Sequence, residues 1–340
     1  MDPLLIVFGF GVGMLVGMTG MGGGSLMTPL LVLLFGVKPT LAVGTDIAYQ
    51  AITKTVGGYK HLKLKTVNFD VVLWLAIGSV PGSIGGVQVV NMMKDRYGDS
   101  VETFTLVALG VVLALVGVFT LVRSIFFPEF QSSDGQSHMK LTTPLKLIGV
   151  AIGLVTGFVI GITSAGSGTV IAVALIAIYK IPPRYVVGTD VFQAAILLWA
   201  AGLAHWAGGS VDFALMGTLL IGSIPGVWIG SNFSVKVPET TLRTALGAVL
   251  VASSAATLKK AGVEHVPNLL ISLGIAFAIG VAIAVLSGRL ANPWKRGPML
   301  SGNDGTPDIR LGIGELSEAV VEPIENPRVN ARNLTQPVRR

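Results

Sequence analysis

Three charged residues stand inside apolar stretches of this sequence: Asp46, Lys54 and Asp190. A charge at membrane depth costs about 2.5 to 3.5 kcal/mol on insertion scales unless it is paired or hydrated, so such residues are functional candidates. Asp46 and Lys54 are eight residues apart, two helical turns on one face, which allows interaction through Gln50 or water but not a tight i,i+4 pair. In that arrangement Lys54 attracts an anion while Asp46 and Asp190 exchange protons. The alternative is that each aspartate caps a helix beginning just after the Gly-Thr pair that precedes it, Gly44-Thr45 and Gly188-Thr189. His61 and His205 are candidates for a proton relay, or else interfacial histidines at span ends beside polar loops.

Two glycine clusters supply the second kind of chemistry. Thr19-Gly20-Met21-Gly22-Gly23-Gly24-Ser25 and Thr163-Ser164-Ala165-Gly166-Ser167-Gly168-Thr169 each fall in the middle of an apolar run. Consecutive glycines interrupt a helix and expose backbone N–H groups at the start of the next segment, where the helix dipole favours negative charge. Two such breaks facing each other make an anion cradle. Donors from Gly22 to Ser25 and from Gly166 to Thr169, with the hydroxyls of Ser25, Ser167, Thr169, Thr45 and Thr189, suit an oxyanion whose several oxygens need several partners. The competing reading is that small residues merely let helices approach closely. GMGGGS lacks the Lys-Ser/Thr of a phosphate-binding P-loop, so any energy for moving an anion comes from an ion gradient, the anion gradient itself or the membrane potential.

The elements that must position these residues are membrane helices. The chain has 340 residues, 51% hydrophobic and 12% charged, with a mean hydropathy of +0.74, a balance that excludes a soluble enzyme or a disordered binder. The apolar stretches between Leu4 and Leu286 supply roughly eight to eleven spans, counting short ones. A net charge of +6 without a basic face interleaved with aromatics excludes nucleic acid as a partner. Zero cysteines exclude thiolate catalysis and cysteine-bound metals, and four histidines without clustered carboxylates give no metal site. No cofactor is implied. The N-terminal stretch lacks a basic n-region and a cleavage site and reads as a retained span.

An internal repeat organises the spans. Residues 13–86 align with 157–230 without a gap at a shift of 144, with about 24 of the 74 positions identical. The matches fall on punctuating residues: Gly17 with Gly161, Gly22 with Gly166, Gly24 with Gly168, Pro39 with Pro183, Gly44-Thr45-Asp46 with Gly188-Thr189-Asp190, and His61 with His205. Ile77-Gly78-Ser79 and Pro81-Gly82 match Ile221-Gly222-Ser223 and Pro225-Gly226, which puts a helix-kinking proline at corresponding places. The organisation expected is a first transmembrane repeat over 1–127, an exposed linker over 128–145, a second repeat over 146–258, an extra span over 259–288 and a flexible polar tail over 289–340. Lys60, Lys63 and Lys65 crowd the loop at 60–65 while its mate at 205–210 has no lysine, an asymmetry that suits inverted repeats with 60–65 cytoplasmic. Inversion needs an odd number of crossings per repeat, so the glycine-broken first run must form two short ones. A single long crossing there gives parallel repeats instead.

The sequence resembles the sulfite exporter TauE/SafE family of membrane permeases, whose duplicated halves each open with a glycine-rich stretch. The resemblance is carried by Gly22-Gly23-Gly24, Pro29-Leu30, Pro39 and Ala42-Val43-Gly44-Thr45, and by their echo in Gly166, Gly168, Pro183 and Val187-Gly188-Thr189. It covers roughly residues 5–287. It implies transport of small sulfur-containing anions such as sulfite or organosulfonates. The family more usually has serine after Gly-Thr, where this chain has Asp46 and Asp190, and its second glycine cluster is diluted to Gly166-Ser167-Gly168.

The reading is therefore an all-α, polytopic helical membrane protein of two repeats with glycine-broken helices, a multi-pass cell-membrane permease rather than an enzyme. Its partners are a small anionic substrate and the lipid bilayer. Two alternatives are a passive anion channel and an intramembrane protease using Asp46 and Asp190 as an aspartyl dyad. Against the protease, the glycine clusters and paired prolines have no role in it, and the order Gly-Thr-Asp differs from that motif.

Overall fold

The structure is a computed structural model describing residues 3–19, 24–126, 141–166, 168–234 and 239–263, which belong to one compact unit. Among these the regular elements are all α-helices: α1 (Pro3–Thr19), α2 (Gly24–Leu34), α3 (Pro39–Lys63), α4 (Phe69–Tyr97), α5 (Ser100–Phe126), α6 (Thr143–Thr163), α7 (Thr169–Ala177), α8 (Pro183–Ala207), α9 (Phe213–Ser234) and α10 (Glu239–Lys260). The expected extra span over 259–288, beyond residue 263, and the tail lie outside the described residues, as do Gly20 to Gly23 and Ser167 of the glycine clusters. Within α4, α5, α6, α8 and α9 lie five segments long and apolar enough to cross a membrane. The 25-residue α3 reaches about 37 Å at the helical rise, but its buried polar residues lower its hydropathy.

Helix starts follow from proline and from caps. Pro39 and Pro183 sit at the first positions of α3 and α8, where the missing N–H is no loss. The start of α3 has no side-chain cap of its own. Instead Glu102, in the first turn of α5, accepts from the Thr40 backbone N–H at 2.9 Å and from its hydroxyl at 2.7 Å. One carboxylate thus meets the positive ends of two helices. Asn68 caps α4 by accepting from Val71 N–H, and Asp212 accepts from Ala214 and Leu215 N–H at the start of α9.

Helices meet through glycine stripes. On α4, a Cβ at Gly78, Gly82 or Gly86 would overlap the carbonyl oxygens of Val150, Leu154 and Phe158 on α6, and Gly153, Gly157 and Gly161 stand equally close to Leu75, Ser79 and Ser83. The same contacts occur 144 residues away in number: Gly222, Gly226 and Gly230 of α9 meet Ile6, Phe10 and Met14 of α1. Both crossings are parallel and spaced four residues apart, the small-residue geometry that lets membrane helices gain van der Waals contact and Cα–H···O interactions. Pro81 and Pro225 lie inside these stripes without ending either helix.

The other two large pairings are antiparallel. A Cβ at Gly110 of α5 would come within 2.6 Å of Leu258 on α10, one at Gly117 within 2.9 Å of Val251, and one at Gly247 within 2.6 Å of Leu121, so numbers rise on one helix as they fall on the other. Ser254 donates to the Gly110 carbonyl at 2.7 Å. Likewise α3 runs against α8, with Gly58 beside Phe192 and Gly202 beside Ala48, and Trp199 donates to Thr55 at 2.8 Å. Two apolar cores fill the space around these pairs, one including Met27, Leu31, Tyr49, Leu109 and Leu113, the other Ile47, Leu75, Ile171, Leu175 and Leu197.

Candidate functional site

The Gly-Thr-Asp triplets lie in the second turn and beyond of α3 and α8, because the helices begin at Pro39 and Pro183 rather than after Gly-Thr. Neither Asp46 nor Asp190 is therefore a helix cap, which corrects that alternative. Each residue of the triplet has a separate task. Gly44 leaves room for the Ser210 carbonyl and Gly188 for the Thr66 carbonyl, both in loops that lead into the next helix of the other half. Thr45 Oγ1 accepts from the Asp212 backbone N–H and Thr189 Oγ1 from that of Asn68, each at 3.0 Å. Both hydroxyls are fully buried and anchor the starts of α9 and α4, with their own hydrogens still available to donate. The aspartates point elsewhere.

Asp46 is buried among neutral donors. Its Oδ2 accepts from Thr28 Oγ1 of α2 at 2.5 Å and from Ser164 Oγ at 2.8 Å. Ser164 follows the last residue of α6 and holds a left-handed conformation, φ 61°. Gln50, one turn beyond Asp46 on α3, donates from Nε2 to Ser164 Oγ at 2.7 Å and to the Ser164 carbonyl at 3.5 Å. Asp46 Oδ1 and Gln50 Oε1 are buried without a hydrogen-bond partner.

Asp190 has a different environment. Lys54, also buried, is within electrostatic reach of the Asp190 carboxylate, of which Oδ1 has no hydrogen-bond partner. Eight residues of α3 separate Lys54 from Asp46, about 12 Å at the helical rise. The expected link between Asp46 and Lys54 through Gln50 is replaced by two separate polar centres, one made of hydroxyls around Asp46 and one made of opposite charges. Each Asp thus has its own surroundings, unlike a proton-sharing dyad.

Of the other expected residues, Gly24 and Thr169 open α2 and α7, and Gly168 is the residue before α7. Ser25 is half-buried and Gly166 has φ +98°, a conformation that favours glycine. Gly22, Gly23 and Ser167 lie outside the described residues. His205 is fully buried, not interfacial, and its Nε2 donates to the Gly161 carbonyl at 2.9 Å, while half-buried His61 contacts Thr66 Oγ1 at 2.9 Å. Sequence reasoning missed Thr28 and Ser164 as partners of Asp46. Ser164 sits inside a glycine cluster already singled out, whereas nothing in the spacing marks Thr28. Gln193, which donates to Ser79 Oγ at 2.8 Å, was missed as well. Among the described residues no group of three or more His, Cys, Asp or Glu could hold a metal ion.

Apolar spanning helices, glycine crossings and buried charges between helices define a polytopic helical membrane protein with a polar interior. The model of the family described as Sulfite exporter TauE/SafE matches residues 5–257, and the chain belongs to that family. It is 38% identical over 253 residues to the probable membrane transporter protein YjnA of Bacillus subtilis (strain 168), covering 74% of this chain and 98% of that one. It is 26% identical to the probable membrane transporter protein YdhB of the same organism, over 72% of this chain and 94% of the relative. A probable membrane transporter protein of Methanocaldococcus jannaschii is 27% identical over 73% of this chain and 92% of its own. No solved structure matches. The chain is a multi-pass membrane transporter, not an enzyme.

Proposed function

We propose that this protein is a secondary transporter that moves a small sulfur-containing oxyanion, such as sulfite or an organosulfonate, across the plasma membrane by alternating access. The observation that carries the reading is a lysine, Lys54, buried inside the helix bundle within electrostatic reach of a buried carboxylate, Asp190, on the facing helix. An arriving anion competes with Asp190 for Lys54. Once Lys54 turns to the substrate, the Asp190 charge is buried without its partner and takes a proton, which couples anion movement to proton movement. The N-termini of α2 and α7, beginning at Gly24 and Thr169, supply backbone donors and the positive ends of two dipoles. Gly22, Gly23, Ser25, Gly166 and Ser167 complete this cradle in the proposal, with Thr45 and Thr189 lending their hydroxyl hydrogens.

The two halves, 1–127 and 146–258, are proposed to be inverted repeats that rock against each other. Support comes from α5 and α10, which correspond at the 144-residue offset yet run antiparallel, as α3 and α8 do. Elements related by inversion must point in opposite directions.

The test is uptake of labelled sulfite, thiosulfate, sulfoacetate and sulfate into proteoliposomes, with and without a proton gradient. Selective, saturable flux that Gly23→Leu and Lys54→Ala abolish in folded protein supports the reading. Flux of none of these anions, or flux indifferent to both substitutions, overturns it. Flux that ignores the proton gradient and does not saturate identifies a passive channel.

A further inference from the structure

We propose that Asp46, Gln50, Thr28 and Ser164 form a binding site for a sodium ion, distinct from the Lys54–Asp190 centre. Three independent features converge on a cation of single charge. The first is charge balance. Among the described residues, the buried side chains with a formal charge are Asp46, Lys54 and Asp190. Lys54 and Asp190 offset one another, and the groups bonded to Asp46 are neutral. One positive charge beside Asp46 makes the interior neutral, whereas a divalent ion needs a second carboxylate.

The second feature is unmet acceptor capacity. Asp46 Oδ1 and Gln50 Oε1 are buried acceptors without a donor, one helical turn apart on α3. A buried oxygen left unsatisfied costs about 1 to 3 kcal/mol, more when it is charged. Asp190 Oδ1 and Gln193 Oε1 are unpartnered in the same way, but there Lys54 supplies the positive charge, whereas around Asp46 no charged group does. Thr28 Oγ1 bonds the other carboxylate oxygen of Asp46, Oδ2, and the Ser164 carbonyl receives only a long 3.5 Å contact from Gln50 Nε2. Carboxylate, amide, hydroxyl and carbonyl oxygens are the ligands that hard cations take.

The third feature is the helix end. Ser164 follows the last turn of α6, so the negative end of that helix dipole faces the Asp46 carboxylate through the Ser164 hydroxyl. A carboxylate at the C-terminal end of a helix is electrostatically unfavourable by itself. A cation between them reverses the sign, and it ties α2, α3 and the α6 end into one unit. Transporters use broken-helix C-termini in this way for coupling ions. A proton on Asp46 can be donated to one acceptor at most and leaves the remaining oxygens of the cluster without a shared partner.

The experiment uses the full chain in lipid nanodiscs, with thermal unfolding followed while sodium chloride replaces choline chloride at constant ionic strength, at pH 6 and pH 8. The expected result is a saturable, sodium-specific rise in midpoint temperature. Asp46→Asn weakens the sodium response at least tenfold, Gln50→Ala and Thr28→Val weaken it about threefold to tenfold, and Asp70→Asn, an exposed carboxylate of α4, leaves it intact. Should Asp46→Asn fail to fold, the Gln50 and Thr28 variants decide. No sodium-specific rise, a rise unchanged in these variants, or a response to pH in place of sodium overturns the site. Binding is read without any transported anion, so the transport reading is tested separately: a sodium response with no anion flux sinks that reading alone, and anion flux with no sodium response sinks this site alone.

Discussion

Lys54 carries the largest single consequence of any side chain here. Its ammonium and the Asp190 carboxylate are both buried, and removing one member of such a pair leaves the other without compensation, at a cost of about 3 to 5 kcal/mol. Lys54→Met is expected to lower the thermal midpoint and to reduce anion uptake at least tenfold. The double change Lys54→Met with Asp190→Asn, which removes both charges, is expected to recover the midpoint but not the uptake. Recovery of both would make the pair a purely structural device, and uptake beside size-exclusion profiles of the two variants decides between these outcomes. The neighbouring Thr45 and Thr189 make a different prediction, because each accepts a backbone N–H that starts another helix. Thr45→Val keeps the shape but loses that acceptor, so we expect a stability loss of about 1 to 2 kcal/mol, seen as a lower unfolding midpoint. Unchanged stability would free the hydroxyl for substrate alone.

Among helices, the crossings depend on the absence of side chains. Gly82→Leu drives a side chain into the Leu154 carbonyl on α6, with no rotamer able to avoid backbone. It should cost about 3 kcal/mol or more and abolish folded protein, whereas Gly217→Leu, on a face of α9 with open space beside it, should leave folding intact. Glu102→Ala should cost about 1 to 2 kcal/mol, since it uncaps α3 from a distance. Much of this level was legible in the residues: Pro39, Pro183 and the glycine-proline stretches place α3, α8, α4 and α9 to within a few residues. Hydropathy marks where a segment lies in the membrane and says nothing of which segment lies beside it. For that reason the pairing of α1 with α9 and of α4 with α6 was not legible, although the stripe of Gly78, Gly82 and Gly86 at every fourth position announced that some close neighbour exists. The Asp46 cluster was half legible. Asp46 and Gln50 share a helix face by spacing alone, but Thr28 and Ser164 reach them only through tertiary structure, at separations of 18 and 118 residues.

For the molecule as a whole, the antiparallel run of α3 against α8 sets a topological test. The chain has no cysteine, so single cysteines can be placed freely. Lys63→Cys and Ala207→Cys, both exposed near the ends of α3 and α8, should be labelled by an impermeant reagent from opposite sides of the membrane. Labelling from the same side would rule out the inverted arrangement. The interlocked crossings also bear on how the protein is made. Since α1 belongs against α9, it is joined to its permanent neighbour only after some two hundred residues of intervening chain have been made. At synthesis rates of 5 to 20 residues per second that wait is on the order of 10 to 40 s. Throughout it the Gly9 and Gly13 face of α1 stands bare in the lipid, open to any passing helix with a small-residue stripe of its own. The hazard of mispairing during synthesis is thus greatest at α1, and a membrane insertase that shelters α1 until α9 arrives should raise the yield of this transporter more than one acting on later helices.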